Sequence, residues 1–237
     1  MKFDYYFYKT IENTNEMVKK IFSNNKLSNI ALISMEQING KGRMGRTWIS
    51  KKGDLTCTFL INEEIETIKL GQINIWFISK LLFTLKNIYP KVNFKIKWPN
   101  DIYLNEKKLG GVLIETIVIK NKIKFFIIGV GINLISSPNV SEYKTISVSE
   151  FSNNRNPLKI FLQISQQIDL YLPELKNKKL FDANEKFLNN FKGYKQKIKI
   201  KVNNDVYEGK FIGINDFGQL LIDNNNTKYN INYGDII

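Results

Sequence analysis

The fold can be read from the stretch Lys97-Trp98-Pro99-Asn100-Asp101, which is followed after a short interval by Lys107-Lys108-Leu109-Gly110-Gly111-Val112-Leu113. The proline ends one strand and favours an extended residue before it, so Asn100 and Asp101 are predicted to project at a fixed strand junction. A hairpin over residues 105–107 would return Lys108 to the same junction. A lysine, a carboxylate and a carboxamide would then meet beside glycines that allow a ligand to approach the backbone. Taken alone, the motif fits a purely structural hairpin equally well.

A glycine-rich basic stretch lies upstream, Gly40-Lys41-Gly42-Arg43-Met44-Gly45-Arg46-Thr47-Trp48. Its glycines let the backbone turn tightly, and its cations suit a polyanion. The chain has 35 lysines and arginines, of which only Arg43, Arg46 and Arg155 are arginine. Two of these three lie in this stretch, which favours a guanidinium fork for phosphate or carboxylate. The stretch matches neither a P-loop nor a dinucleotide-binding motif, and a flexible basic surface loop is the alternative.

A third glycine motif, Gly129-Val130-Gly131-Ile132-Asn133, ends an otherwise apolar strand. Glycines inside a strand mark a bulge, a tight corner or a ligand pressed against the backbone. Upstream of all three motifs, Asn13, Thr14 and Asn15 lie at the predicted start of a helix, with Thr14 as its N-cap. Amide groups at that position are free to bind a ligand.

The composition excludes several kinds of chemistry. The chain contains no histidine, which removes Ser-His and Cys-His catalysis and the usual zinc hydrolase sites. A single cysteine, Cys57, excludes an internal disulfide and a Cys-rich zinc site. Neither a signal peptide nor an apolar stretch long enough to cross a bilayer is evident, so the cytoplasm is the expected location and no membrane contact is expected.

Hydrophobic periodicity predicts a mixed order of strands and helices. Strands are predicted over residues 2–9, 29–36, 54–61, 93–98, 102–104, 109–120 and 123–135, with a tight turn at Asn121-Lys122. Helices are predicted over residues 14–24, 70–87, 157–176 and 179–192. After Gly193 the chain alternates as a meander of short strands, which predicts a small barrel-like β module. The domain boundary is expected between residues 192 and 193.

In this order and at these spacings, the motifs resemble those of the biotin–protein ligase family over nearly the whole chain. The family's glycine–arginine-rich biotinyl-adenylate loop is similar to residues 40–48, and its Lys-Trp-Pro-Asn-Asp motif is intact at residues 97–101. Its Lys-x-Gly-Gly-(Ile/Val)-Leu and Gly-x-Gly-Ile-Asn motifs correspond to residues 108–113 and 129–133. The resemblance implies an α+β fold, in which a mixed sheet with packed helices, like that of class II aminoacyl-tRNA synthetases, forms a catalytic domain over residues 1–192. A small C-terminal SH3-like β-barrel would occupy residues 193–237.

The resemblance also implies an activity: biotin is activated with ATP and Mg²⁺ to biotinyl-5′-AMP and transferred to a lysine of a biotin carboxyl carrier protein, such as an acetyl-CoA carboxylase subunit. Catalytic roles are implied for Lys108, Arg43 and Asp101, the last as the group that orients or deprotonates the acceptor lysine. Ligand contacts are implied for Asn13, Thr14, Asn15, Gln37, Gly40, Lys41, Gly42, Arg43, Arg46, Trp48, Asn100, Lys108, Gly111, Gly129, Gly131 and Asn133. No residue is assigned as a metal ligand.

Three departures from the family pattern stand in the site. Asn13 replaces the usual serine, and Lys41 and Met44 replace arginines. Asn13 can still hydrogen-bond a ureido ring, although it is bulkier, while Lys41 keeps its charge but loses the bidentate fork. These changes are expected to weaken ligand affinity without abolishing activity.

Three alternatives come from other classes of protein. A lipoate or octanoyl transferase shares the architecture, but its glycine-rich motif ends in a histidine, which this chain lacks. A nucleic-acid-binding module is suggested by the net charge of +13; because the motifs begin by Asn13, however, we expect a form without an N-terminal helix-turn-helix and without specific DNA binding. A catalytically inert biotin-binding relative is the third. The oligomeric state stays open, with a homodimer as one option.

Overall fold

The computed structural model describes residues 3–24, 28–120, 122–225 and 227–237. The chain divides into two compact units. One consists of Met1–Thr67 with Leu104–Leu172, and the other of Ile68–Tyr103 with Pro173–Ile237. Each unit is described separately below.

The elements follow one another in the mixed order that the sequence predicts. The strands are β1 (Phe3–Tyr8), β2 (Asn29–Ser34), β3 (Gly40–Lys41), β4 (Thr47–Trp48), β5 (Leu55–Ile61), β6 (Ile65–Glu66), β7 (Lys95–Lys97), β8 (Asp101–Leu104), β9 (Lys107–Ile119), β10 (Lys122–Ile132), β11 (Lys197–Val202), β12 (Asp205–Ile214), β13 (Leu220–Asn224), β14 (Thr227–Ile231) and β15 (Asp235–Ile236). The α-helices are α1 (Thr14–Asn24), α2 (Leu70–Ile88), α3 (Pro157–Tyr171) and α4 (Glu185–Leu188).

The first unit is built on a sheet with strand order β1-β2-β5-β10-β9. Strand β1 runs parallel to β2, and the other neighbours are antiparallel, so the sheet is mixed. Helix α1 buries Val18 against Leu32 and Leu60 on one face. The ring of Phe161 in α3 stacks 5.8 Å from that of Phe59, which points to the opposite face because side chains alternate along a strand. Because both faces are covered, every residue of β2 and β5 is buried, and most of them are apolar.

The second unit combines helix α2, most of whose apolar side chains are buried, with the β7–β8 pair and a five-stranded antiparallel sheet of order β14-β13-β12-β11-β15. Two close contacts connect its parts. The indole of Trp98 donates a hydrogen bond to the carbonyl of Gly218, 3.1 Å away, in the turn between β12 and β13. A Cβ on Gly71 would lie 2.1 Å from the carbonyl oxygen of Phe217, so only glycine fits there.

Four sequence-based expectations need comment. The helix predicted over residues 179–192 is wrong, because only Glu185–Leu188 is helical and Asn184 caps it through a hydrogen bond from the amide of Phe187. Thr14 is not the N-cap of α1, since Asn13 accepts the amides of Glu16 and Met17. The turn predicted at Asn121-Lys122 involves residue 121, which lies outside the described residues. The boundary at residues 192 and 193 stays a prediction.

Candidate active site

Asn15, in the first turn of α1, is fixed against the sheet by hydrogen bonds at both ends of its amide. Its Oδ1 accepts the hydroxyl of Thr58 at 2.6 Å, and its Nδ2 donates to Glu115 Oε2 at 2.7 Å. A Cβ on Gly129 would lie 2.6 Å from Asn15 Oδ1. The first glycine of the third motif therefore makes room for this side chain. Asn15 is 4% exposed, so the arrangement belongs to the interior wall of the site.

Thr14 and Gln37 form the adjoining part of this wall. Gln37 Oε1 accepts both the main-chain amide of Thr14 at 2.8 Å and its hydroxyl at 3.0 Å. The neighbouring Asn13 has protein partners for both polar atoms, because Oδ1 caps α1 and Nδ2 donates to the carbonyl of Asn39 at 3.0 Å. Asn13 thus ties the helix to the chain that enters the glycine-rich stretch. A direct ligand contact by Asn13 stays a prediction.

The glycine-rich stretch forms a small hairpin in which β3 pairs with β4. A single turn of 3-10 helix, Arg43–Gly45, makes its tip, and the amide of Gly42 donates to the carbonyl of Arg46 at 2.7 Å. Met44 has a φ of 55° and Gly45 a φ of 75°, both in the left-handed region. The left-handed conformation is unfavourable for a methionine, so this tip is a strained place to put a non-glycine residue.

Trp48, at the base of the hairpin, joins the glycine-rich stretch to the other two motifs. A Cβ on Gly131 would lie 2.4 Å from the indole Cε2, so the second glycine of the third motif receives this ring. Gly111 lies opposite Gly131 in the β9–β10 register. The ammonium of Lys108 lies 5.7 Å from the centroid of the Trp48 ring and 4.8 Å from that of Tyr143. Lys108 is therefore held near two aromatic faces, which attract a cation.

An open cavity of about 700 Å³ shares Tyr143 with this lysine, which is not itself among the lining residues. It is lined by Lys107, residues 137–145 and Glu150, and Tyr143 is both a lining residue and an aromatic partner of Lys108. Asn133 braces the base of the lining segment, because its Nδ2 donates to the carbonyl of Ile146 at 3.1 Å. The cavity has the volume expected of a small-molecule site.

A line of charges connects the hairpin to Asn15. Lys41 Nζ lies 3.6 Å from Glu16, and Lys19 Nζ lies 3.0 Å from both Glu16 and Glu115. The hydrogen bond from Lys19 holds the pKa of Glu16 below its usual range, against the opposing effect of burial. Lys41, which replaces the arginine of the family pattern, thus keeps an ion pair with Glu16. An arginine would form this pair with a planar, forked guanidinium instead of a single ammonium group.

Asn100 and Asp101 belong to the second compact unit and are placed by the turn between β7 and β8. Asn100 is 8% exposed, and Asp101 lies opposite Lys97 in the strand register. The carbonyl of Pro99 accepts Asn74 Nδ2 at 3.1 Å, which fixes the turn to α2. The expected convergence of Asn100 and Asp101 with Lys108 stays a prediction.

Sequence reasoning missed three side chains of this site: Thr58, Glu115 and Tyr143. Glu115 offered a signal, since it is a lone carboxylate within the apolar strand β9. Thr58 and Tyr143 offered none. Within residues 3–24, 28–120, 122–225 and 227–237, no group of three or more His, Cys, Asp or Glu side chains is arranged to hold a metal ion. No helix in the same ranges is long and apolar enough to span a membrane.

Comparison with known proteins identifies the class to which this fold and site belong. Residues 7–133 match the Biotin/lipoate A/B protein ligase family, and residues 196–237 match the Biotin protein ligase C terminal domain. The chain belongs to the biotin/lipoate A/B protein ligase family. The predicted family and fold class are confirmed, including the C-terminal all-β sheet of the SH3-like kind.

Individual relatives are biotin–protein ligases. The chain is 34% identical over 116 residues to the biotin–protein ligase of Homo sapiens, covering 46% of this chain and 16% of that protein. It is 29% identical over 110 residues to the biotin–[acetyl-CoA-carboxylase] ligase of Paracoccus denitrificans, covering 45% of each. The solved biotin protein ligase of Aquifex aeolicus in complex with biotin and ATP has a TM-score of 0.80 and 25% identity over 99% of this chain and 97% of that one. The chain spans less than half the length of the curated relatives it matches most strongly.

Proposed function

We propose that this chain is a biotin–protein ligase, which forms biotinyl-5′-AMP from biotin and ATP and transfers the biotinyl group to a lysine of a carrier protein. The observation that carries the proposal is the contact of Trp48 with Gly131 and its proximity to Lys108. It brings all three glycine-containing motifs to one place, beside a cavity of about 700 Å³. The likeness to the Aquifex aeolicus ligase with biotin and ATP supports the same reading.

Biotin is proposed to lie under the hairpin, against Thr14, Asn15 and Gln37. Their fixed amide and hydroxyl groups suit the ureido ring, which both donates and accepts hydrogen bonds. Gly129 and Gly131 are proposed to shape this wall indirectly, because they make room for the Asn15 amide and the Trp48 indole that line it. The remaining residues assigned from the sequence, Gly40, Gly42, Gly111 and Asn133 among them, are proposed to shape this wall and the hairpin over it.

ATP is proposed to occupy the cavity beside Lys108. In the first step an oxygen of the biotin carboxylate bonds to the α-phosphorus and pyrophosphate leaves. This brings anions together, so Lys108, Arg43 and Arg46 are proposed to stabilise the charge that develops. Mg²⁺ fits as an ion held mainly by the nucleotide's phosphates, because the described residues contain no metal-binding cluster of their own. When bound, it would neutralise phosphate charge.

In the second step the acceptor lysine Nε attacks the acyl carbon, AMP leaves, and a base takes the proton. Asp101 is the proposed base or orienting group, and Asn100 a nucleotide contact. Biotinyl-5′-AMP is a mixed anhydride that water hydrolyses, so the hairpin over residues 39–47 is proposed to close on it and exclude water. Lys41 and Arg43 are the cations that would meet the adenylate.

The finer assignments are part of the same proposal. The acceptor is a biotin carboxyl carrier domain of a biotin-dependent carboxylase, the reaction takes place in the cytoplasm, and the chain binds no specific DNA. A homodimer is the oligomer to look for by sedimentation.

Pyrophosphate release with biotin, lipoate or octanoate as the acid substrate tests the activity. Release that requires biotin, and that neither other acid supports, is the expected result. Release with lipoate or octanoate would point to a lipoate-activating ligase of the same family, and a transferase would release no pyrophosphate with any of the three acids. Biotin binding without release would point to the inert biotin-binding relative.

A further inference from the structure

Asp54, the residue just before β5, is a buried carboxylate surrounded by donors. It is 1% exposed. Its Oδ1 accepts the main-chain amides of Leu134, Ile135 and Ser136 at 2.9, 2.8 and 3.0 Å. Its Oδ2 accepts the amide of Lys51 at 2.9 Å and the hydroxyl of Ser136. Five donors therefore meet one carboxylate.

This arrangement determines the path of residues 134–136. Three successive amides that point at one centre form a concave anion site, and here the protein's own carboxylate occupies it. Without Asp54, the amides of Leu134, Ile135 and Ser136 would lose their shared acceptor, and buried amides without acceptors are unfavourable. The turn before Asp54 is fitted to the same segment, because a Cβ on Gly53 would lie 2.4 Å from Ile135 Cδ1.

Residues 134–136 lead directly into the cavity wall formed by residues 137–145. A second carboxylate connects the beginning of that wall to the segment that follows its end. Glu150 accepts the hydroxyl of Ser137 at 2.5 Å and the amide of Ser147 at 3.0 Å. The hydroxyl of Ser137 and the amide of Ser147 hold the pKa of Glu150 below its usual range, so it remains charged at neutral pH. Asp54 thus fixes the segment that enters the wall, and Glu150 joins the first residue of the wall to Ser147, just beyond its last.

We propose that Asp54 is a positioning residue for the nucleotide: it sets the wall of the cavity beside Lys108, touching neither substrate itself. The proposal rests on the proposed function, which places ATP in that cavity. Thr58, the β5 residue that contacts Asn15, lies four positions further along the strand. Loss of Asp54 should therefore disturb the nucleotide half of the site more than the biotin half.

The test compares Asp54→Asn and Ser136→Ala with the wild type and with Asn29→Ala. Asn29 is a matched control, since it too is a buried polar side chain that accepts a main-chain amide, that of Asn62. It lies at the opposite end of the β2–β5 pair. Three quantities are measured for each protein: hydrogen exchange of the amides of residues 134–136, the KM for ATP at saturating biotin, and the Kd for biotin by calorimetry.

In Asp54→Asn we expect faster exchange at residues 134–136 and a KM for ATP raised about tenfold, with the biotin Kd changed less than about twofold, because small misplacements of a binding wall are costly. Ser136→Ala removes one donor and should shift the same two quantities less. It also provides the test if Asp54→Asn does not fold. Asn29→Ala should leave the KM for ATP and the exchange of residues 134–136 unchanged.

Two results would overturn the proposal: unchanged exchange and KM in both variants of the cluster, or equal weakening of biotin and ATP. Failure of the proposed function is a separate outcome, since it would appear as a wild-type protein that releases no pyrophosphate with biotin and ATP. In that case the exchange measurement still decides whether Asp54 fixes residues 134–136.

Discussion

Asn15 Oδ1 occupies the space that a Cβ on Gly129 would need, at a separation of 2.6 Å. We therefore predict that Gly129→Ala displaces the Asn15 amide and weakens its hydrogen bonds to Thr58 and Glu115. A buried polar group that loses a partner costs about 1–3 kcal/mol, so the Kd for biotin should rise about tenfold or more. Calorimetric titration with biotin measures this effect.

Gly213→Ala is the control for that substitution. Gly213 also lies in a strand, but the nearest atom to its added Cβ is a side-chain carbon of Leu221 at 3.7 Å, which is an ordinary contact. Biotin affinity should be unchanged in this variant. Wild-type affinity in Gly129→Ala would mean that biotin does not depend on Asn15.

Lys108→Ala should lose biotinyl-adenylate synthesis far more than it loses biotin binding. The ammonium lies beside the cavity proposed for ATP and near the rings of Trp48 and Tyr143, where it is placed to act on a phosphate. A pyrophosphate-release assay set beside biotin calorimetry separates the two effects. Lys120→Ala, at an exposed turn residue just after β9, should match the wild type in both. Equal losses of binding and synthesis in Lys108→Ala would give Lys108 a binding or structural role.

Arg43→Gly should release biotinyl-5′-AMP faster than the wild type while leaving its synthesis largely intact. Arg43 lies at the tip of the hairpin and offers a planar guanidinium to the adenylate. The measurements are the dissociation rate of biotinyl-5′-AMP and the labelling of bystander lysines. Arg155→Gly makes the same change in an exposed loop elsewhere and should behave as wild type. If Arg43→Gly holds biotinyl-5′-AMP as long as the wild type does, Arg43 does not retain the adenylate, and Lys41 or Arg46 becomes the next candidate.

The hairpin over residues 39–47 should become more ordered when biotinyl-5′-AMP binds. Its glycines lose much conformational freedom on ordering, and its cations repel one another until an anion arrives. Hydrogen exchange of the amides of Gly42 and Arg46, with and without the adenylate, measures this. Equal protection in both states would contradict closure of the hairpin.

DNA binding should be weak and independent of sequence, despite the net charge of +13. Binding through lysines releases counterions, so it falls steeply as salt rises and does not distinguish sequences. Gel-shift titrations with a biotin-operon promoter and a scrambled duplex, at low and physiological salt, measure this. Affinity for the promoter alone that survives physiological salt would contradict the prediction.

Much of the fold could be predicted because its signals are local. Alternation located β1 and β11, and apolar runs located β5 and β10, since both patterns follow from which faces a strand buries. Residues 179–192 were misassigned as one helix because Asn184 starts a new, short helix through its own side-chain hydrogen bond. Asparagine side chains can bind backbone amides in this way and so start a new helix. Hydrophobic periodicity does not reveal such a hydrogen bond.

The site could be predicted only where a residue and the neighbour that explains it belong to the same motif. The glycines at 129 and 131 were recognised as points of close approach, but their neighbours Asn15 and Trp48 lie far away in sequence. Asn15 likewise bonds to Glu115, which is 100 residues further along. The role of Asp54 could not be predicted, because its partners are main-chain amides and no sequence pattern identifies those.

The most direct test of the central claim is a single incubation of this chain with biotin, MgATP and a biotin carboxyl carrier domain, followed by mass measurement of the carrier. We predict that the carrier gains the mass of one biotinyl group on one lysine, only when biotin and ATP are both present. A carrier whose lysine is replaced by arginine should gain nothing. An unmodified carrier, together with a chain that still binds biotin, would contradict the account and identify a binding protein rather than a ligase.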